Sequence, residues 1–332
     1  MAETQDRLAG KTVLVTGGSG FVGSHIVDQL IDADCARVVV VDNMIRGRAA
    51  NLASAIANGP VELIEGDIRD AALMARLVAG CDVVYHQAAL RITHCAAEPD
   101  AAMRVMVGAT YDLLRLCAEQ DVERVIMASS ASIYGMAEQF PTTEGHHPYA
   151  NRTLYGAAKS FGEGLLRSFN DMYGLRYVAL RYFNVYGPRM DIHGRYTEVM
   201  VRWMERIEAG LPPIIFGDGS QTMDMVDVRD VARANILAAR ADVDDAVFNV
   251  GSETETSLLD LARVLANAMG RPELEPIHEA ERSVNPVPRR LASGEAASSA
   301  LGFRPGIGLD TGIRDLVDWW RSETRAAQDS AA

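Results

Sequence analysis

The sequence predicts an α/β fold: a doubly wound parallel sheet joined to a smaller, loop-rich C-terminal lobe. Three observations carry that prediction. Short apolar runs alternate with amphipathic stretches through the first half of the chain, the pattern of parallel strands covered on both faces by helices. After Asn184 the alternation gives way to a stretch rich in Gly, Pro and Arg. A chain of 332 residues, 48% hydrophobic, is long enough for one large sheet and a second lobe.

Taken in order, strands are expected near 12–16, 37–42, 61–65, 82–86, 123–129 and 175–182, and helices near 20–32, 48–58, 70–79, 99–120 and 152–173. Helix 99–120 opens on Pro99, where a missing N–H costs nothing, and carries Met103, Val107, Leu113, Leu114 and Cys117 at helical spacing. Helix 152–173 carries Phe161, Leu165, Phe169 and Met172 in the same way. These stripes either face the sheet or pair with a second subunit. Residues 184–225 read as loops around one helix near 197–210, ended by Gly210 before Pro212-Pro213. Helix 228–241 and a strand over Val247-Phe248-Asn249-Val250 return to the sheet. Helix 256–269, an extended Pro/Arg segment at 280–292 and a last helix near 310–325 follow. The expected division is 8–183 with returns at about 226–250 for the first unit, 184–225 with 251–325 for the second, and a flexible tail at 326–332.

Composition limits the function. A net charge of −13 without any basic run argues against a nucleic-acid partner, so anionic ligands must be held by local groups. Cys35, Cys81, Cys95 and Cys117 form no C-x-x-C pair and lie in apolar segments, as buried thiols in a reducing cytoplasm do. No apolar run approaches ~18 residues, so neither a signal peptide nor a membrane span is expected. The seven histidines show no zinc spacing, which predicts no metal, and no G-x-S-x-G elbow is present.

The first strand runs directly into Thr16-Gly-Gly-Ser-Gly-Phe-Val-Gly23 and a helix beginning near Gly20. Glycine supplies positive φ for the turn and, having no Cβ, lets backbone N–H groups touch a pyrophosphate at the helix's partially positive end. Asp42 follows about 20 residues later, at the end of a valine run, placed to accept ribose hydroxyls. The reading is a Rossmann-type NAD site, because that carboxylate would repel a 2′-phosphate; Arg46 and Arg48 lie near enough in sequence to test the point. The sheet's carboxyl edge, where ligands collect, receives Gly17, Asp42, Asp67, Ala88, Ser130 and Asn184. Tyr155 and Lys159, four apart on a helix, share a face, and an ammonium beside a phenol favours the phenolate, which makes Tyr155 a candidate base. Ser130, delivered by a neighbouring strand end, would bond the same substrate oxygen.

With these residues in view the chain resembles the extended short-chain dehydrogenase/reductases, specifically the NAD-dependent nucleotide-sugar epimerases and dehydratases of the UDP-glucose 4-epimerase type. The likeness spans nearly all of 11–320 and rests on the glycine turn, Gly66-Asp67-Ile68, His86-Gln-Ala-Ala89, Ala128-Ser-Ser-Ala-Ser-Ile-Tyr-Gly135, Tyr155-x-x-x-Lys159, Leu180-Arg-Tyr-Phe-Asn-Val-Tyr-Gly-Pro-Arg189 and Phe216-Gly-Asp-Gly219. It implies that Ser130, Tyr155 and Lys159 are catalytic. Gly17, Gly20, Phe21, Val22, Asp42, Asn43, Asp67, Ile68, Ala88, Ala89, Tyr155, Lys159 and Tyr182 would hold NAD. Ser130, Ser132, Asn184, Val199, Ile214, Phe216, Arg282 and Arg290 would hold the UDP-sugar, and the two helices of 99–120 and 152–173 would pair in a homodimer. There are departures. Met223 stands where the family has a diphosphate-gripping arginine, leaving Arg282 as substitute; Met106 replaces an asparagine; and Arg290 falls at the gate to the sugar's C2 side.

Dehydratases of this kind carry Asp-Glu directly after the catalytic hydroxyl residue, and here those positions are Ala131-Ser132. The expected product is therefore the 4-epimer, with UDP-glucose/UDP-galactose as substrates. UDP-glucuronate or a UDP-N-acetylhexosamine stands as the alternative, then a reductase or dehydratase, then a catalytically silent NAD-binding protein.

Overall fold

The structure is a computed structural model that describes residues 6–192, 198–280 and 287–331, the last five by backbone alone. In chain order it runs β1 (Thr12–Thr16), α1 (Phe21–Ile31), β2 (Arg37–Asp42), α2 (Ala53–Asn58), β3 (Val61–Glu65), α3 (Ala71–Val78), β4 (Val83–His86), α4 (Ile92–Ala97), α5 (Pro99–Ala102), a π-helical segment (Met103–Ala109) and α6 (Thr110–Glu119). Then come β5 (Arg124–Ser130), a 3₁₀ turn (Ala131–Tyr134), α7 (Leu154–Tyr173), β6 (Tyr177–Tyr182), β7 (Asn184–Tyr186), α8 (Val199–Glu208), β8 (Ile214–Phe216), β9 (Thr222–Asp227), α9 (Val228–Arg240) and β10 (Ala246–Val250). The chain closes with β11 (Glu255–Ser257), α10 (Leu258–Ala268), β12 (Ile277–Glu279), α11 (Glu295–Leu301) and α12 (Leu309–Ala331).

Seven strands form one parallel sheet in the order β10-β6-β5-β4-β1-β2-β3. Alternation along each strand fills both faces. Val13, Val15, Val38 and Val40 face α1 and α9, where Ile26, Leu30, Val231 and Ala234 meet them. Leu14, Val39 and Val41 face α3, α6 and α7, against Leu73, Met74, Leu113, Leu114, Leu166 and Phe169. Each side chain so buried contributes on the order of 1.5–3 kcal/mol over exposure, which is why these short runs hold as strands. The strand order reverses between β4 and β1, opening a crevice at the carboxyl ends there.

Every strand and helix expected before Asn184 is present, with two changes of type: the helix expected over 48–58 begins as a 3₁₀ turn at Ala49–Leu52 before α2. The single helix expected over 99–120 is α5, the π segment and α6 in succession. The stripes divide: Leu113, Leu114, Cys117 and Phe169 are buried towards the sheet, whereas Met103, Phe161 and Met172 are exposed, together with Tyr111 and Tyr173.

The stretch 184–225 is more regular than the loops expected. β7 and β9 pair in parallel and β11 joins antiparallel, giving a three-stranded sheet, and β8 pairs with β12. Around them Trp203, Met204, Leu261, Leu265, Ile313, Leu316 and Trp320 form a core of their own. Strands of three residues leave too little alternation to read, and α4 and α11 are likewise too short for a helical period. α12 continues to Ala331, past the 310–325 read from the sequence. Among the described residues no helix is long and apolar enough to cross a membrane, and no three His, Cys, Asp or Glu gather as for a metal.

Candidate active site

The glycine turn closes against two neighbours at once. Gly17 has φ +67°, and a Cβ there would lie 2.9 Å from the backbone N and Cα of Ala88. A Cβ on Gly23 would lie 2.3 Å from the Gly17 carbonyl oxygen and 2.7 Å from Gly18 Cα. The turn, the loop leaving β4 and the first turn of α1 therefore meet with no room for a side chain. Gly20 is the N-cap of α1, and no side chain caps that helix, so its first N–H groups remain for an anion. This cradle fits a pyrophosphate.

Asp42 ends β2 beside it. Its carboxylate accepts Ser19 N–H at 3.2 Å and Met44 N–H at 3.0 Å, and Gly47 packs so closely that a Cβ would sit 2.6 Å from Asp42 Oδ1. Both nearby arginines are engaged with residues far along the chain: Arg46 with Asp191 at 3.0 Å and Arg48 with Glu323 at 2.9 Å. Neither stands free to receive a 2′-phosphate. Asp67 accepts two bonds from the Arg69 guanidinium, at 2.8 and 2.7 Å, and one from Asn43 at 3.1 Å. Arg69 thereby holds the Asp67 carboxyl well below the usual carboxylate range. Ile68 is buried next to it.

The loop after β4 is fastened by side chains. Ala88 N–H donates to Thr16 Oγ1 at 3.2 Å, Thr16 Oγ1 meets His86 Nδ1 at 2.8 Å, and His86 Nε2 meets Thr110 Oγ1 at 3.0 Å. Burial, then the Lys159 charge, pushes His86 down to about 3, so it is neutral at working pH. Leu90 N–H donates to the Met106 thioether at 3.2 Å, from the π segment. Tyr182 donates to Gln87 Oε1 at 3.0 Å and bonds Asn235. Arg91 follows this loop, held by Glu198 at 3.2 Å, and burial lowers its pKa. Sequence reasoning passed over this arginine; a cation directly after Ala88-Ala89-Leu90 was the available signal.

Ser130, Tyr155 and Lys159 lie together. Ser130 is the last residue of β5; Tyr155 lies in the first turn of α7, where the helix end favours an anion; Lys159 is one turn on. Lys159 Nζ lies 5.8 Å from the Tyr155 ring centroid and donates to the Ala128 carbonyl. Burial pushes the Tyr155 phenol up, and hydrogen bonding with Ser130, followed by the charges of Arg290 and Arg46, pulls it back. Burial lowers Lys159 to about 8, which leaves an ammonium at neutral pH. The arginines, rather than the lysine expected from sequence, are the cations that act most on the phenol.

On the other side of the crevice, Ser132 N–H donates to Ser130 Oγ at 3.1 Å, and Ala131 is buried. Asn184 begins β7; its Nδ2 donates to the Met223 thioether at 3.5 Å, and its Oδ1 is buried without a partner. A buried orphan acceptor at a crevice is a group that a ligand donor satisfies. Arg290 is held by its backbone, N–H to the Thr222 carbonyl at 3.0 Å. Its guanidinium has no hydrogen bond or ion pair among the described residues; burial lowers its pKa, and the one charge that opposes this is Tyr155. Ile214 and Phe216 flank the buried Ile215 on β8 and so share its opposite face, and Val199 opens α8. Arg282 lies outside the described residues.

Residues 13–251 match the family described as NAD dependent epimerase/dehydratase. A putative UDP-glucose 4-epimerase of Methanocaldococcus jannaschii is 34% identical over 316 residues, covering 94% of this chain and 99% of that protein. Among solved structures, the UDP-glucose 4-epimerase of Thermotoga maritima, with UDP-glucose, is similar at TM-score 0.87 and 34% identity, over 94% of this chain and 99% of that one. The UDP-N-acetylglucosamine 4-epimerase of Methanobrevibacter ruminantium, in complex with UDP-N-acetylmuramic acid, is similar at TM-score 0.89 and 33% identity, over 95% and 99%.

Proposed function

Given that the chain belongs to the NAD dependent epimerase/dehydratase family and is an NAD-dependent nucleotide-sugar 4-epimerase, we propose that it interconverts UDP-glucose and UDP-galactose through a 4-keto sugar reduced again from its opposite face. The observation that carries this reading is the meeting of Ser130, Tyr155 and Lys159 beside the glycine cradle, with Ala131-Ser132 following Ser130. NAD, when bound, supplies the hydride acceptor and donor. The cradle of Gly17, Gly20 and Gly23 with Phe21, Val22, Asp42, Asn43, Asp67, Ile68, Ala88, Ala89 and Tyr182 would hold it.

Tyr155 takes the proton from O4 while Ser130 donates to the same oxygen; the charges of Arg290 and Arg46 favour the phenolate, and Lys159 lies one turn away, 5.8 Å from the ring centroid. Removing a C5 proton and expelling the C6 hydroxyl would need a carboxylate acid and base next to Ser130. Alanine and serine supply neither. The keto sugar stays tethered by its nucleotide, which Asn184, Val199, Ile214 and Phe216 would grip, turns over, and is reduced. We place the enzyme in the cytoplasm as a homodimer; its four cysteines are free and buried, and Met103, Tyr111, Phe161, Met172 and Tyr173 lie exposed on the α5–α6 and α7 surface.

A second substrate is favoured by one observation, the unpaired Arg290 guanidinium. A half-buried cation whose charge acts on Tyr155 suits a carboxylate on the sugar, hence UDP-glucuronate. Incubation with UDP-glucose, UDP-glucuronate and UDP-N-acetylglucosamine in deuterated water tests both points. The 4-epimer should form with no solvent deuterium on any sugar carbon. Deuterium at C5, or a 4-keto-6-deoxy product, would defeat the reading.

A further inference from the structure

Glu163 continues the stripe that Tyr155 and Lys159 begin, at i+8 and i+4 on one face of α7. Its carboxylate accepts the Ser129 hydroxyl at 2.5 Å and a bidentate grip from Arg181, Nε at 2.9 Å and Nη2 at 2.7 Å. Ser129 and Arg181 are register partners on β5 and β6, and Ser129 directly precedes Ser130. Arg181 also donates to the Tyr134 hydroxyl and the Glu144 carbonyl, each at 2.9 Å, so it is fixed from the far side. One carboxylate thus joins the helix carrying Tyr155 and Lys159 to the strand end carrying Ser130. Both side chains of the ion pair are about nine-tenths buried, where such a pair does little better for stability than apolar residues would. Its geometry, three elements locked one residue from the reacting hydroxyl, calls for another account.

We propose that Glu163 is a positioning residue for Ser130, Tyr155 and Lys159: it fixes the register of α7 against the ends of β5 and β6 and sets a negative charge one helical turn from Lys159. The proposal rests on the reading that Tyr155 and Lys159 carry the chemistry. Burial lowers Lys159 to about 8, and Cys95, followed by Glu163, opposes that shift. The groups facing Lys159 are Tyr155 and Glu163 of α7, His86 of β4, Cys95 of α4 and the Ala128 carbonyl of β5. Those facing Glu163 are Arg181 and Ser129, with the Tyr134 hydroxyl on Arg181 behind them, and Glu144, Arg167 and Tyr177, which line the same cavity.

Two substitutions separate charge from position. Glu163→Gln keeps the shape and loses the charge, so Lys159 is neutralised at lower pH. The alkaline limb of the kcat profile should move acidward by about one pH unit, with kcat at pH 7.5 down ~3-fold and KM for the UDP-sugar within ~2-fold. Glu163→Asp keeps the charge and an anion for Arg181 but withdraws from Ser129. Its kcat should fall ~10-fold with the limb unmoved, and it decides the matter alone if Glu163→Gln leaves Arg181 unpaired and does not fold. A purely structural glutamate would alter the yield of folded protein and leave the limb where it is. Wild-type kcat in Glu163→Asp, or a wild-type limb in a folded Glu163→Gln, overturns the proposal. If Tyr155→Phe also keeps its turnover, the reading beneath has failed; if Tyr155→Phe is inactive, the role given to Glu163 alone has failed.

Discussion

Gly23→Ala tests the cofactor cradle, because two opposite effects meet at that position and the structure says which wins. Within an ordinary helix the change gains ~1 kcal/mol from lost chain entropy and better propensity. Here the new methyl would be placed 2.3 Å from the Gly17 oxygen and 2.7 Å from Gly18 Cα. Since an ordinary contact needs about 3.4 Å, α1 and the turn must separate by roughly 1.1 Å. Both opposing atoms are backbone, and neither can swing aside as a side chain would. Overpacking of this kind costs ~1–3 kcal/mol, so stability falls by up to ~2 kcal/mol after the propensity gain. The N–H groups that would face the pyrophosphate move with the turn, and at 1.4 kcal/mol per decade a loss of two good hydrogen bonds is worth ~10- to 100-fold in NAD affinity. Cofactor content after gel filtration, calorimetric titration of stripped protein and urea unfolding all report on it. A variant with wild-type NAD content and wild-type unfolding midpoint would refute the argument, showing that the cradle relaxes around a methyl group.

Three further outcomes follow from the site. Tyr155→Phe should lose at least ~100-fold in kcat while NAD stays bound, because the phenol oxygen alone is removed; near-normal turnover would assign the base elsewhere. Arg290→Leu should abolish whatever preference the enzyme shows for UDP-glucuronate over UDP-glucose, and equal losses on both substrates would mean that the guanidinium serves the diphosphate they share. Acid should destabilise the fold through His86 and His25, which burial lowers to about 3 and about 4. The folded state refuses protons that the unfolded state accepts, so stability is complete above the unfolded value of about 6.5 and is lost as pH falls from there towards 4. The slope is ~1.4 kcal/mol per pH unit for each histidine. His86→Gln should remove about half of that slope in urea midpoints measured between pH 6.5 and 4.5; an unchanged slope would clear His86 of the effect.

The sheet and its cradle were legible because their physics is local. Valine runs buried on two faces, a turn only glycine can make and an amphipathic period all leave marks within ten residues of chain. The same locality explains what escaped. Glu163 shares by spacing the helical face of Tyr155 and Lys159, but what it holds there is shown only by the return of β6 with Arg181. The π segment at Met103–Ala109 has no period that distinguishes it from the α-helix on either side. Met106 and Met223 read as lost polar contacts; in the structure their sulfurs accept the Leu90 N–H and the Asn184 amide. Arg290 was placed at the sugar gate by likeness, but that its half-buried guanidinium is unpaired among the described residues follows from three-dimensional packing alone.

The route of the chain through the seven-stranded sheet bears on how the protein can be made and cut. β6 ends at Tyr182 and its outer neighbour β10 begins at Ala246, and the lobe with its own core is begun in between. On a ribosome adding ~5–20 residues per second, those 63 residues take roughly 3–13 s, during which β6 presents a bare row of N–H and C=O groups. α9, whose Val231, Ala234 and Ala238 cover the same face as α1, arrives just as late. A fragment stopped near residue 183 would therefore keep the glycine turn yet expose an adhesive strand and half of one apolar layer, and should aggregate. A usable dinucleotide-binding piece must carry 226–250 as well, which makes a short linker across the excised lobe, and not a stop codon, the way to isolate it.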